Sequence, residues 1–389
     1  MNRKICVITG TRADFGPLTP LLHEIQNDPE LQLQLVVTGM HLSPEFGLTY
    51  QAVEKEFHID KKIEILLSSD TGVGVSKAMG LAQISFAEAF AELCPDLVVV
   101  LGDRFEIFSA VASAMVMNLP IAHLSGGELT EGAIDDAIRH SITKMSHLHF
   151  VATESYRNRV IQLGEDPDRV FNFGEAGLDS IENLTLLSRP EFEASIDFQL
   201  NQKNLLITYH PTTLDPPQEI ENDFKNLLEV LDTLEDTGLI FTKANSDAGG
   251  RKINDMIEDF VSEKAGTAVV FTSLGQLRYL SALQFVDAVV GNTSSGIVEA
   301  PSFKIGTLNI GSRQKGRIAA ESVIHSTNDK ADIIAAFAQL YSNSFQKSLT
   351  TMVNPYGQRD SSRRTKEVLK TTDLLNIIKK KFRDHKGFQ

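Results

Sequence analysis

The chain has 389 residues, of which 42% are hydrophobic and 23% charged, with a formal net charge of −14. That length exceeds one comfortable hydrophobic core and points to two or three domains. The acidic balance excludes wholesale nucleic-acid binding and leaves any anionic ligand to a local basic pocket. Cys6 and Cys94 sit in or beside apolar patterns and read as core thiols of a reduced, cytoplasmic protein rather than a disulfide framework. The N-terminus runs straight into a strand pattern, so no signal peptide is expected, and no apolar run reaches the roughly 18 residues of a membrane span.

In chain order, Lys4 to Gly10 is a short apolar run closed by glycine, the pattern of a strand buried on both faces. The loop Gly10-Thr11-Arg12-Ala13-Asp14-Phe15-Gly16-Pro17 follows, then a helix over Leu18–Ile25. Similar strands are expected at Leu33–Gly39, Ile63–Leu67, Leu97–Gly102, Ile121–Leu124, His149–Ala152 and Val170–Phe173, with helical patterns between most of them. Strand–helix alternation predicts a parallel, doubly wound sheet. In such a sheet ligands bind outside the carboxyl ends of the strands. The strands at 97–102 and 121–124 both run into carboxylate-rich loops, so Asp103, Glu106, Glu128 and Asp135 are expected to share one mouth with His123 and Arg139.

After a polar stretch from about Gly177 to Lys203 the pattern restarts. Strands are expected at Leu205–Tyr209, Leu239–Thr242, Ala268–Thr272, Ala288–Gly291, Gly306–Ile310 and Val323–His325, with helices such as Phe224–Leu234 and Asp332–Tyr341 between them. The expectation is an α/β chain of two Rossmann-like domains, 1–174 and 175–360, hinged near Gly174–Leu200 with a cleft between them. A closing helix reads over Ser361–Phe382, and its Lys379-Lys380-Lys381 reads as a solvated, dipole-complementing helix end.

Several standard signals are missing. No phosphate-binding Gly-x-x-x-x-Gly-Lys-Ser/Thr loop occurs, Gly72-Val73-Gly74 is not a dinucleotide fingerprint, and there is no His-Glu-x-x-His or paired Cys-x-x-Cys. His147-Leu148-His149 alternates like a strand end and reads as packing rather than metal binding.

Four loops remain. Arg12, after the first strand and near a helix N-terminus, suits a phosphate, and reads equally as a surface arginine. His210, in Tyr209-His210-Pro211, reads in isolation as structural. Gly291-Asn292-Thr293-Ser294-Ser295-Gly296 offers amides and hydroxyls to a pyrophosphate at a strand-to-helix turn, with a plain serine cap as the bland alternative. Glu299 lies four residues beyond Ser295, on the same face of a helix, where its carboxylate suits ribose hydroxyls. The basic loop Arg313-Gln314-Lys315-Gly316-Arg317 supplies local positive charge. Among the carboxylates, Asp135 and Arg139 can pair along a helix, Asp136 reads as a cap or surface residue, and Asp103 at a strand end reads as functional.

Taken together, Gly10-Thr11-Arg12-Ala13-Asp14, Thr38-Gly39-Met40-His41, Gly102-Asp103-Arg104, His123-x-x-Gly126-Gly127-Glu128, Ile134-Asp135-Asp136-x-Ile138-Arg139-His140, His210-Pro211, Gly291-Asn292-x-Ser294-Ser295-Gly296-x-x-Glu299 and Arg313-Gln314-x-Gly316-Arg317 occur in this order. The chain resembles the hydrolysing UDP-N-acetylglucosamine 2-epimerases of the sialic-acid and legionaminic-acid pathways, strongly to about Arg317 and more weakly beyond. The resemblance implies a glycosyltransferase-B-type fold, with residues 361–389 returning to the first domain. It implies anti elimination of UDP to a glycal, then hydration to the manno sugar, without nicotinamide, metal or other cofactor. It carries UDP binding onto Arg12, Ser294, Ser295, Gly296, Glu299 and Arg317, and acid/base roles onto Asp103 and Asp135. His210 corresponds to a cleft histidine near the diphosphate. Glu128 joins the catalytic group, and Ser125 and Arg139 the sugar-binding one.

The chain departs from the pattern at Ser125, where many members that act on UDP-N-acetylglucosamine carry glutamate. Either Glu128 or Asp103 takes over that share of the proton transfers, or the sugar differs at C4, as in a UDP-2,4-diacetamido-2,4,6-trideoxyhexose. A non-hydrolysing epimerase, a glycosyltransferase of the same architecture and a nucleotide-sugar binding protein are the alternatives. The expected partners are a small-molecule UDP-sugar and further copies of the chain, as a homodimer or homotetramer, with no nucleic acid and no membrane.

Overall fold

The computed structural model describes residues 2–69, 71–131, 133–212, 216–245, 249–264 and 266–384. Its contacts divide the chain into two compact units: one of residues 1–128, 135–183 and 356–389, the other of residues 129–134 and 184–355.

The first unit holds a seven-stranded parallel sheet: β1 (Arg3–Thr9), β2 (Leu31–Thr38), β3 (Lys61–Ile63), β4 (Leu97–Leu101), β5 (Ile121–Leu124), β6 (Leu148–Val151) and β7 (Val170–Asn172). The order is β3-β2-β1-β4-β5-β6-β7. Along β1 and β4, Ile5, Val7, Leu97 and Val99 enter one core while Cys6, Ile8, Val98 and Val100 enter a second on the opposite face. A side-chain period of two combined with two covered faces is why these strands are written as unbroken apolar runs.

The second unit repeats the plan with six parallel strands: β8 (Lys203–Thr208), β9 (Thr237–Thr242), β10 (Ala268–Phe271), β11 (Ala288–Gly291), β12 (Gly306–Ile310) and β13 (Val323–Ser326), in the order β10-β9-β8-β11-β12-β13. Leu205, Ile207, Phe241, Val290 and Leu308 lie in its main core. Each expected strand is present among the described residues. The third is displaced from 63–67 to Lys61–Ile63, because β2 ends at Thr38, opposite Ile63, and offers residues 64–67 no ladder to join.

The closing helix is shorter than its pattern. It spans Ser361–Thr371, and the Asp373 carboxylate then accepts from the Leu375 N–H at 2.9 Å in a turn. Its Lys366 and Lys370 reach Asp28 at 3.1 and 3.0 Å, beside the helix Arg12–Gln26. Lys380 is not a solvated helix end: its ammonium donates to Glu165 at 2.8 Å and to the Ser146 carbonyl at 2.7 Å.

Residues 175–183 pack with the first unit rather than the second. The Glu175 N–H bonds the Tyr356 carbonyl at 3.0 Å, and the Asp179 carboxylate accepts from the Ser361 and Ser362 amides at 3.3 and 2.7 Å. Cys6 is buried as expected, but Cys94 is exposed; it caps the helix Gly72–Leu93 in the left-handed conformation, at φ 46°. No described helix is long and apolar enough to cross a membrane.

Candidate active site

Residues that follow β4 and β5 build the site of the first unit. β4 ends at Leu101, Gly102 takes φ 79°, and Asp103 follows ahead of the helix Phe105–Val116. The Asp103 carboxylate accepts the guanidinium of Arg139. Arg139 is buried, on the helix Asp135–Met145, and its Nη2 also lies 4.0 Å from Glu128. The helix begins at Asp135, so its first turn puts that half-buried carboxylate where the helix dipole favours negative charge. Asp136 pairs with His140 at 3.6 Å, one turn along.

Two residues expected in this mouth lie behind it. His123 is fully buried: Nε2 donates to the Gly102 carbonyl at 2.8 Å, which leaves Nδ1 to accept the Thr143 hydroxyl at 3.1 Å. Burial pushes its pKa down to about 3, so the ring is neutral and braces the β4 and β5 loops. Glu106 is also buried, and its Oε1 accepts a hydrogen bond from Arg104 Nε at 2.9 Å. A Cβ on Gly10 would stand 2.6 Å from Glu106 Oε1, so the first loop rests directly on this carboxylate. Burial raises the Glu106 pKa against the opposing pull of Arg104.

The first loop is fixed by Asp14. Its carboxylate accepts the amides of Gly10 and Thr11 at 2.9 and 2.8 Å, and with Thr11 it forms a capping box. This holds half-buried Arg12 in the first turn of its helix.

Ser125, directly after β5, donates its hydroxyl to Glu175 at 3.0 Å. Glu175 was not among the residues expected from sequence. It follows β7 as Asp103 follows β4, and the same strand-end rule applied there would have found it.

The site of the second unit is organised by Asn292. Its side-chain oxygen accepts the His210 N–H at 2.7 Å, and its Nδ2 donates to the His210 carbonyl at 2.8 Å. The Asn292 carbonyl in turn accepts from Arg313 at 3.2 Å and Gln314 at 2.8 Å. His210 Nδ1 accepts the Asn245 amide at 3.3 Å, so in the neutral ring the proton sits on Nε2. Only glycine fits at 291: φ is 125°, and a Cβ would stand 2.0 Å from the Thr208 carbonyl.

Ser294 is exposed, and the helix it opens is one turn, Ser295–Val298, with Glu299 capping its end rather than lying on a longer helix. Tyr279 donates to the Ser295 hydroxyl at 2.6 Å; burial and the Glu299 charge push its pKa up. No sequence signal pointed to Tyr279. Gly296 is buried, its Cα facing Thr307 across a gap that leaves no room for a side chain. Arg317 Nε reaches the Leu129 carbonyl at 3.3 Å, and Lys315 pairs with Glu131 at 3.3 Å. Among the described residues no group of three or more His, Cys, Asp or Glu is arranged to hold a metal ion.

Each set therefore lies at the carboxyl edge of its own sheet, with carboxylates and a buried arginine on the first and amides, hydroxyls and cations on the second. The chain is 46% identical over 384 residues to a hydrolysing GDP/UDP-N,N'-diacetylbacillosamine 2-epimerase of Campylobacter jejuni, covering 98% of this chain and 99% of that protein. It is 35% identical to the polysialic acid biosynthesis protein P7 of Escherichia coli, covering 99% of this chain and 97% of that one. The crystal structure of a Neisseria meningitidis UDP-GlcNAc 2-epimerase bound to UDP-GlcNAc superposes with a TM-score of 0.79 at 20% identity, over 94% of this chain and 99% of that one, and shares its glycosyltransferase-B-type fold of two Rossmann-like domains. Residues 23–370 match the model of one family, and on these grounds the chain belongs to the UDP-N-acetylglucosamine 2-epimerases.

Proposed function

We propose that this chain is a hydrolysing 2-epimerase of a UDP-linked 2-acetamido sugar. The observation that supports it most is the Asp103–Arg139–Glu128 constellation at the carboxyl edge of the first sheet. In the first step a carboxylate removes the C2 proton; the electrons form a C1=C2 bond as the C1–O bond to UDP breaks. In the second, water adds its oxygen to C1 while C2 takes a proton on the opposite face, giving the manno sugar and releasing one proton.

Asp103 and Asp135 exchange these protons, since a weakly acidic C–H needs a positioned base and hydration needs an acid. Arg139 orients Asp103, and Glu128 shares the work. Arg12, Ser294, Ser295, Gly296, Glu299 and Arg317 hold UDP, with His210 beside the diphosphate. The product is N-acetylmannosamine, or 2,4-diacetamido-2,4,6-trideoxymannose from the corresponding UDP-trideoxyglucose, and it feeds nonulosonic acid biosynthesis in the cytoplasm. Chromatography of the reaction tests this reading. UDP and free sugar should accumulate from donor alone. A glycosyltransferase would wait for an acceptor, a non-hydrolysing epimerase would return a UDP-sugar, and a binding protein would return the donor unchanged.

The same reading includes self-association as a homodimer or homotetramer. The neighbouring helices Gly72–Leu93 and Phe105–Val116 leave the aliphatic side chains of Val73, Ile84 and Val116 exposed at 67%, 64% and 75%, where a second copy of the chain would find apolar surface to cover. Sedimentation equilibrium should give a mass at least twice that of the chain; a monomer would refute it.

A further inference from the structure

One carboxylate at the carboxyl edge of the first sheet has no part in the elimination and hydration steps. Glu175 is 8% exposed, and its Oε2 and Oε1 lie 3.0 and 3.3 Å from the Ser125 hydroxyl. Ser125 is half-buried, so of this pair the serine is the more accessible to solvent. Its φ is 60°, in the left-handed region where glycine rests more easily than any L residue, and its N–H is tied to the Phe150 carbonyl at 2.8 Å. A serine held in that conformation contributes something a glycine lacks, namely its hydroxyl.

The polarity of that hydroxyl is fixed. Serine has one proton to give, and here it goes to a group that only accepts. The face of Oγ turned away from Glu175 is therefore an acceptor. A secondary amide N–H, which donates and cannot accept, matches such a corner fully. A hydroxyl on the same ring carbon can donate here too, but it also carries lone pairs of its own that Ser125 cannot meet and that require a further donor.

The sheet order gives the corner its place. β5 neighbours β4 on the side away from β1, so Ser125 stands one strand spacing, about 4.8 Å, from the strand end that carries Asp103. The inference rests on the epimerase reading, in which a sugar with C2 at Asp103 and UDP on C1 turns C4, the ring atom opposite C1, towards another part of the wall. We propose that Ser125 is a specificity-determining residue that accepts the N–H of an acetamido group at C4, and that Glu175 is the positioning residue that aims the Ser125 hydroxyl.

The test uses the full chain and its Ser125→Gly and Glu175→Gln variants. Glycine relieves the backbone while removing the hydroxyl; glutamine keeps the shape but can donate as well as accept. For each protein, kcat/KM for UDP release is measured with UDP-2,4-diacetamido-2,4,6-trideoxyglucose and with UDP-N-acetylglucosamine. The wild type should prefer the diacetamido sugar, and each variant should lower that ratio about tenfold, the loss of one hydrogen bond. A purely structural role for Glu175 would slow both substrates alike and leave the ratio unchanged, which overturns the proposal, as does a wild type without the preference. A wild type that releases UDP from neither sugar overturns the epimerase reading and this proposal with it.

Discussion

The guanidinium of buried Arg139 sits on the Asp103 carboxylate and within 4.0 Å of Glu128. One cation thus links the residues that follow two adjacent strands. Removing it leaves carboxylates facing each other in a partly dry place, which is far costlier than losing a surface pair. Arg139→Ala should destabilise the protein by roughly 3–5 kcal/mol, read by urea unfolding, and should abolish turnover. A loss below about 1 kcal/mol, the range of exposed pairs, would show that the pair is not buried.

Asp103→Asn keeps the shape at the end of β4 and removes the basic oxygen. Turnover should fall on the order of 10²- to 10⁴-fold, while UDP still raises the melting temperature of the variant as it does that of the wild type. Near-normal turnover would remove Asp103 from the proton transfers.

Tyr279 holds the Ser295 hydroxyl at 2.6 Å. If that serine binds UDP, Tyr279→Phe should weaken UDP binding about two- to tenfold, the range of one neutral hydrogen bond, in isothermal titration calorimetry. Unchanged affinity would place the phosphates away from Ser295.

Acid should unfold this protein early. Burial holds His41, His123 and His147 down, to about 4, about 3 and about 4, and it lowers His140, His149 and His325 as well. In the unfolded chain a histidine takes its proton near pH ~6.5. Below that value the unfolded chain binds more protons than the folded one, so stability is full above it and falls as the pH drops towards the folded values. Each deeply buried histidine contributes up to about 1.4 kcal/mol per pH unit. Glu106 and Asp287, raised by burial, oppose this with one proton each. Burial alone would also raise Glu165, but hydrogen bonds from His149, Lys144 and Lys380 hold it down to about 2, which adds a further loss below pH ~4.5. Melting temperatures should therefore fall steadily from pH 7 to pH 5; a flat profile would contradict the buried, neutral histidines.

The chain pattern made the sheets legible because the stretch of a strand covered on both faces must be apolar, as are β4, Ile5–Ile8 of β1 and Leu205–Ile207 of β8. Boundaries were less legible where long-range partners decide them. β3 stops where β2 stops, and the closing helix stops before Lys380, which turns to Glu165 and Ser146, residues more than 200 positions earlier. Asp103, Glu128 and Arg139 could be named from strand ends and helix spacing. His123 and Glu106 were misplaced into the mouth because a sequence does not say whether a polar side chain turns out of a sheet edge or under it. Glu175 was within reach of the strand-end rule at β7, but its link to Ser125, fifty residues earlier, was not.

The most direct measurement is proton NMR of the purified protein with its UDP-sugar in heavy water. Elimination and rehydration through a carboxylate predict free UDP and a manno-configured sugar with deuterium at C2. UDP release with the C2 proton retained, or no release at all, would contradict the account.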